Sequence, residues 1–132
     1  KWIMNISFAF HERLLRARSR STQSFVSKAR EYVRNNYSDE DLSLDSICEF
    51  LGVSNSYFST IFKKETGSTF IGYLTDYRME RASRLLIETN EKSYIIAKHV
   101  GYSDPNYFSY VFKRKFGVSP SKYRTEYGTS EA

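Results

Sequence analysis

Two stretches of this 132-residue chain decide its fold: YFSTIFKKETGSTF, residues 57–70, and YFSYVFKRKFGVSP, residues 107–120. Aligned, they share Tyr, Phe, Ser, Phe, Lys and Gly at the same six positions, with Ile61 facing Val111 and Lys64 facing Arg114. In each, apolar residues recur at three- and four-residue steps, the period of one helical face. Basic residues follow, and then a glycine, which stops a helix by taking the left-handed conformation at its end. Just upstream, LGVS (51–54) echoes VGYS (100–103), with one extra residue in the second copy. Stacking arrays need at least three copies. Two copies with a long distinct helix between them read instead as a duplicated supersecondary unit.

Outward from the first copy, Ser43 is placed to cap a helix whose apolar face is Leu44, Ile47, Cys48 and Leu51, and Gly52 ends it. Ser54 caps the next helix, whose apolar face is Tyr57, Phe58, Ile61 and Phe62, with Lys63 and Lys64 near its end and Gly67 as its stop. Thr69 opens a long helix. Its apolar positions are Phe70, Tyr73, Leu74, Tyr77, Ala82, Leu85 and Leu86, with Asp76, Arg78, Glu80, Arg81 and Arg84 between them, and it ends near Thr89–Asn90. Ile95, Ile96, Val100 and Gly101 then form a short helix and turn. Pro105 falls near the first turn of the following helix, where its missing N–H does no harm. That helix carries Tyr107, Phe108, Val111 and Phe112, then Lys113, Arg114 and Lys115 before Gly117; Ser119–Pro120 starts a last short helix with Tyr123 and Tyr127. Upstream of all this, Phe25, Val26, Ala29, Tyr32 and Val33 mark one further helical face.

The expected fold is therefore all-α, two helix-turn-helix subdomains joined by a long linker helix. The first unit is expected over about 24–68, the linker helix over about 69–89 and the second unit over about 91–127. Residues 1–23 read as the tail of an upstream domain or a linker, and 128–132 as a C-terminal tail. The chain starts at Lys1 rather than Met and is expected to be a fragment of a larger protein.

Composition narrows the function. The single cysteine, Cys48, excludes an internal disulfide and a multi-cysteine zinc site, and fits a reducing, cytoplasmic setting. No apolar run reaches membrane-spanning length. The two histidines, His11 and His99, lie in different segments, and no acid–base pairing, phosphate loop or metal motif occurs. An enzyme, a metal and a cofactor are not expected, and no catalytic residue is assigned. Net charge is +5, but residues 1–35 hold eight basic and two acidic side chains, and residues 36–132 hold twelve basic and thirteen acidic. Affinity for a polyanion must come from clustering: Lys63–Lys64, Lys113–Arg114–Lys115 and Lys122 with Arg124.

A helix-turn-helix lays its second helix in the DNA major groove, the N-terminal residues of that helix on base edges. With Phe58, Ile61 and Phe62 inward, Asn55, Ser56, Ser59 and Thr60 face outward, with Lys63 and Lys64 where phosphates would pass. The second copy likewise turns out Asn106, Ser109 and Tyr110, followed by Lys113 and Arg114. Phosphate contacts set register and base contacts set sequence. A 20-residue connector of about 30 Å matches the roughly 34 Å between successive major-groove faces. Each feature alone also fits an ordinary solvated surface; their joint repetition favours DNA. The alternative is a helical protein–protein interaction module without DNA binding.

LSLDSICEFLGVSNSYFSTIFKKETGSTF (42–70) and VGYSDPNYFSYVFKRKFGVSPSKYR (100–124) resemble the AraC/XylS-type DNA-binding domain over roughly residues 24–127. The resemblance implies about seven helices and regulation of transcription, most often activation, through promoter DNA and RNA polymerase. It implies base contacts from Asn55, Ser56, Ser59 and Thr60 in the first unit and from Pro105, Asn106, Ser109 and Tyr110 in the second. Phosphate contacts are implied for Ser54, Lys63, Lys64, Ser103, Lys113 and Arg114. It implies a separate sensing or receiver domain, with this fragment monomeric and the full-length protein dimeric. Members often carry arginine, a bidentate reader of guanine, where Thr60 and Tyr110 stand here. They also carry more polar residues where this chain has Tyr94–Ile95–Ile96, a candidate interface with the missing domain.

Overall fold

The computed structural model describes residues 25–128. The tail or linker expected over residues 1–23 lies outside them, as do residues 129–132. Seven helices and no strand occur among the described residues. Helix α1 runs over 25–36, followed by α2 (Leu44–Leu51), α3 (Asn55–Thr66), α4 (Phe70–Glu88), α5 (Ser93–His99), α6 (Pro105–Phe116) and α7 (Pro120–Tyr127).

The helices begin where short polar side chains can accept a hydrogen bond from an otherwise unsatisfied backbone N–H. Ser43 and Ser46 form a reciprocal capping box on α2, and Ser54 accepts from Tyr57 N–H on α3 at 3.1 Å. Thr69 and Ser119 do the same for α4 and α7, accepting from Gly72 and Lys122. Helix α3 ends at Gly67 and α6 at Gly117, both at φ +82°, where a side chain would be strained.

The repeat is thus deeper than a helix pair, since each copy runs on through its glycine stop into a hydroxyl-capped helix. Two cores follow from it. The first gathers Val26, Ala29 and Val33 of α1, Ile47 and Cys48 of α2, Phe58 and Phe62 of α3, and Phe70 and Leu74 of α4. The second gathers Met79, Ala82 and Leu86 of α4, Ile96 and Ala97 of α5, and Phe108 and Phe112 of α6, with Val100 between them. Helix α4 therefore serves twice. Its first half closes the first unit as α7 closes the second. Its second half presents Met79, Ala82 and Leu86 with the same three- and four-residue steps as Val26, Ala29 and Val33.

Three expectations change. Tyr57 and Tyr107, read as members of an apolar face, are 52% and 55% exposed, because their neighbours Phe58 and Phe108 take the inward direction. Arg78, read as one of the polar residues between apolar positions, is only 7% exposed. The stretch Tyr94–Ile95–Ile96 is also divided: Ile96 is core, whereas Tyr94 faces solvent.

Candidate nucleic-acid interface

The turn before each second helix sets where that helix begins. In the first unit Gly52 takes φ +72°, its N–H bonds to Cys48 and Glu49 carbonyls, and Val53 N–H bonds to Cys48 carbonyl at 3.0 Å. This double closure turns the chain sharply enough for Ser54 to cap α3 two residues later. In the second unit α5 ends at Val100, Gly101 follows at φ +94°, and the extra residue moves the cap to Asp104, which accepts from Asn106 N–H at 2.9 Å. Ser103, for which the resemblance implies a phosphate contact, is exposed but lies one residue outside the cap.

On α3, Ser56, Ser59, Thr60, Lys63 and Lys64 are all exposed. Steps of three and four place them on one side of the helix, opposite Phe58 and Phe62, which are fully buried. Short hydroxyls occupy the first turns and ammonium groups the last. Asn55 is exposed too, but its side-chain amide donates to the Asp45 carboxylate on α2, so it also ties the two helices of the unit together. The lysines lie in the last turn of α3, where the negative end of the helix dipole favours cations.

On α6 the equivalent stripe is Asn106, Tyr110, Lys113 and Arg114, all exposed, with Pro105 exposed at the first position. Ser109, expected outward, is half-buried on the shoulder beside Phe108 and Phe112. Tyr110 is 57% exposed and its ring stacks on Tyr107 at 6.3 Å. Its hydroxyl accepts from Arg114 Nη1 at 3.2 Å, and the guanidinium carbon lies 5.9 Å from the ring centre. This hydrogen bond pushes the Arg114 guanidinium pKa up. The second helix therefore presents an aromatic ledge, Tyr107 and Tyr110, with a cation held at its edge. The first presents hydroxyls. Lys115, by contrast, reaches back to Asp76 of α4 at 3.0 Å.

Cys48 is buried, and burial, with a smaller contribution from Asp45, pushes its thiol pKa up. His99 pairs with Glu91 at 3.3 Å on the surface. Among the described residues no cluster of histidine, cysteine and carboxylate could hold a metal ion, and no helix is long and apolar enough to cross a membrane. Two arginines that sequence reasoning left as surface charges are bound to carbonyls instead. Arg78 bonds Tyr37 and Asp39, and Arg124 of α7 donates to Leu86 at 2.8 Å and Thr89 at 3.2 Å, at the end of α4.

Comparison with known proteins places this arrangement. A family profile described as a helix-turn-helix domain matches residues 47–126. The raffinose operon transcriptional regulatory protein RafR of Pediococcus pentosaceus is 38% identical over 109 residues, 83% of this chain and 39% of that protein. The arabinose operon regulatory protein of Escherichia coli K12 is 30% identical over 99 residues, 75% of this chain and 34% of that protein. The chain thus spans well under half the length of these relatives. Among solved structures, the C-terminal domain of AraT, a response regulator from Geobacillus stearothermophilus, superposes with a TM-score of 0.79 at 45% identity, covering 81% of this chain and 88% of that one. The C-terminal domain of the two-component response regulator yesN from Fusobacterium nucleatum gives 0.73 at 38% identity, covering 74% and 95%.

Proposed function

Because the chain belongs to the AraC-type family of helix-turn-helix domains, we propose that it binds double-stranded DNA at specific promoter sequences and regulates transcription. Helices α3 and α6 enter successive major grooves of one duplex. The observation that carries this reading is the duplicated second helix. Twice the same backbone, capped at its start and stopped at a left-handed glycine, turns a polar stripe to solvent and ends it in paired basic residues.

Base edges are met by Asn55, Ser56, Ser59 and Thr60 on α3 and by Pro105, Asn106, Ser109 and Tyr110 on α6. Asn55 does so with the amide groups that its bond to Asp45 leaves over, and Ser109 from the shoulder of its helix. Phosphates are met by Ser54, Lys63, Lys64, Ser103, Lys113 and Arg114, with Ser103 reaching from outside the cap. The names of the relatives, operon regulators and response regulators, support regulation of transcription; this reading makes the protein cytoplasmic, an activator in the main, and a partner of RNA polymerase at promoters. The identity to response-regulator C-terminal domains favours an upstream domain of that type. The domain is monomeric by itself and dimeric in the longer protein.

The experiment is selection of binding sites from random duplex DNA by the whole 132-residue chain at physiological salt. The expected product is an asymmetric site with two short blocks about 10 base pairs apart, one helical turn. Enrichment of one block would assign sequence reading to a single unit. No enrichment, together with binding that does not weaken as salt rises, would replace this reading with the protein–protein interaction module, because phosphate contacts release counterions.

A further inference from the structure

Arg78 lies where α4 passes from one core to the other: Leu74 belongs to the first and Met79 to the second. Its guanidinium joins three segments. Nε donates to the Tyr37 carbonyl at 3.0 Å and Nη2 to the Asp39 carbonyl at 2.8 Å, both in the turn that follows α1 in the first unit. Its central carbon lies 5.4 Å from the centre of the Tyr102 ring, which follows the turn of the second unit. Gly101 brings that turn in so closely that a Cβ there would stand 2.6 Å from the Tyr37 carbonyl oxygen and 2.8 Å from Arg78. The Tyr37 ring packs against both cores.

These contacts run between the units. The fully buried side chains of each core come from its own side; besides the Tyr37 ring, Arg78 connects a first-unit turn to a second-unit turn across the helix they share. The residue type matters. A planar fork donates in two fixed directions and lies flat on a ring; a lysine ammonium does neither. The two carbonyls and the aromatic face also satisfy a charge that burial would otherwise penalise.

We propose that Arg78 is a positioning residue that fixes the orientation of one helix-turn-helix unit relative to the other, and with it the base-pair spacing at which the chain reads DNA. The DNA half of this inference rests on the function proposed above; the conformational half does not.

The test has an arm for each half. In the first, Lys28→Cys in α1 and Ser121→Cys in α7, both exposed positions, carry spin labels in a Cys48→Ala background, and the label-to-label distance is measured without DNA. A narrow distribution is expected with Arg78, and a broadened or displaced one with Arg78→Lys, Arg78→Met and Gly101→Ala, while NMR shifts within each core stay in place. Gly101→Ala disturbs the same joint with Arg78 retained, so agreement among the three variants does not depend on any one of them. Unchanged distributions would overturn the proposal. So would loss of both cores in Arg78→Lys, which would make Arg78 a folding element.

In the second arm, affinities are compared for the selected two-block duplex, for duplexes with the blocks moved one to three base pairs apart, and for a one-block duplex. The parent should prefer its own spacing by about tenfold or more, because a rigid joint raises the effective concentration of the second unit only where geometry allows. Arg78→Lys should lose that preference while keeping one-block affinity and salt dependence; a retained preference would overturn the proposal. A parent that binds no duplex would overturn the DNA reading, leaving the distance distributions to decide on Arg78.

Discussion

At the scale of single residues, polar side chains separate into buried or half-buried ones that hold the fold and exposed ones left for a partner. Arg124 supplies a cation to the end of α4, which has no basic residue in its own last turn. Replacing it with Met would strip two carbonyls of a charged donor. We expect Arg124→Met to lower stability by about 1.5–3 kcal/mol, the range for hydrogen bonds to charged groups, read as a shift of the urea midpoint at constant slope. Cys48 makes a second case. Its folded-state pKa is raised by burial, so its contribution to stability is complete below the ordinary thiol range and declines as pH rises through the folded value. Native protein at pH 8 should react slowly with thiol reagents and fully after unfolding; fast native labelling would contradict the burial. The outward hydroxyls behave differently. Ser59→Ala should change base preference at one or two positions of the selected site and leave the salt slope alone, and an identical site would remove Ser59 from the readers.

At the scale of elements, the two turn glycines look alike in sequence and differ in cause. Gly52 needs only its positive φ, since a Cβ there would meet nothing within 4 Å. Gly52→Ala should cost about 1–2 kcal/mol, the left-handed penalty for an L-residue. Gly101→Ala carries that penalty and the collision with Tyr37 and Arg78, so its melting temperature should fall further. Equal losses would show that the joint is looser than the structure has it. The basic helix ends admit a test at the same scale. Lys113→Ala should weaken binding to all sequences alike and reduce the salt slope by about one. An unchanged slope would mean that the residue serves only the dipole of α6.

At the scale of the molecule, α4 belongs to both units, so neither unit is complete without it. Truncating the centre of the second core should therefore be felt in the first. Phe108→Ala, at a fully buried position, should cost about 3–5 kcal/mol and lower hydrogen-exchange protection in α2 and α3 as well as in α5 and α6. Loss confined to the second unit would mean that the shared helix does not couple them.

The all-α class, the duplicated unit and the caps Ser43, Ser54, Thr69 and Ser119 were legible in the chain. They depend on local rules: helical periodicity, hydroxyls beside free N–H groups, and glycines where φ must be positive. The outward stripe of α3 was legible for the same reason, because Phe58 and Phe62 fix the inward direction and so the opposite one. Tertiary structure alone decided the roles of Tyr37, Arg78, Gly101 and Arg124. An arginine bound to carbonyls 35 to 41 residues away in sequence leaves no periodic trace, and its side chain reads as surface wherever it stands. Tyr110 was legible as an outward residue, but the aromatic ledge was hidden because Tyr107, a tyrosine beside the buried Phe108, fits a core or a surface equally well. Ser109, half-buried where Ser59 is exposed, shows the same limit. Periodicity gives a side chain's direction from its own helix, and only the packing of neighbouring helices decides what meets it there.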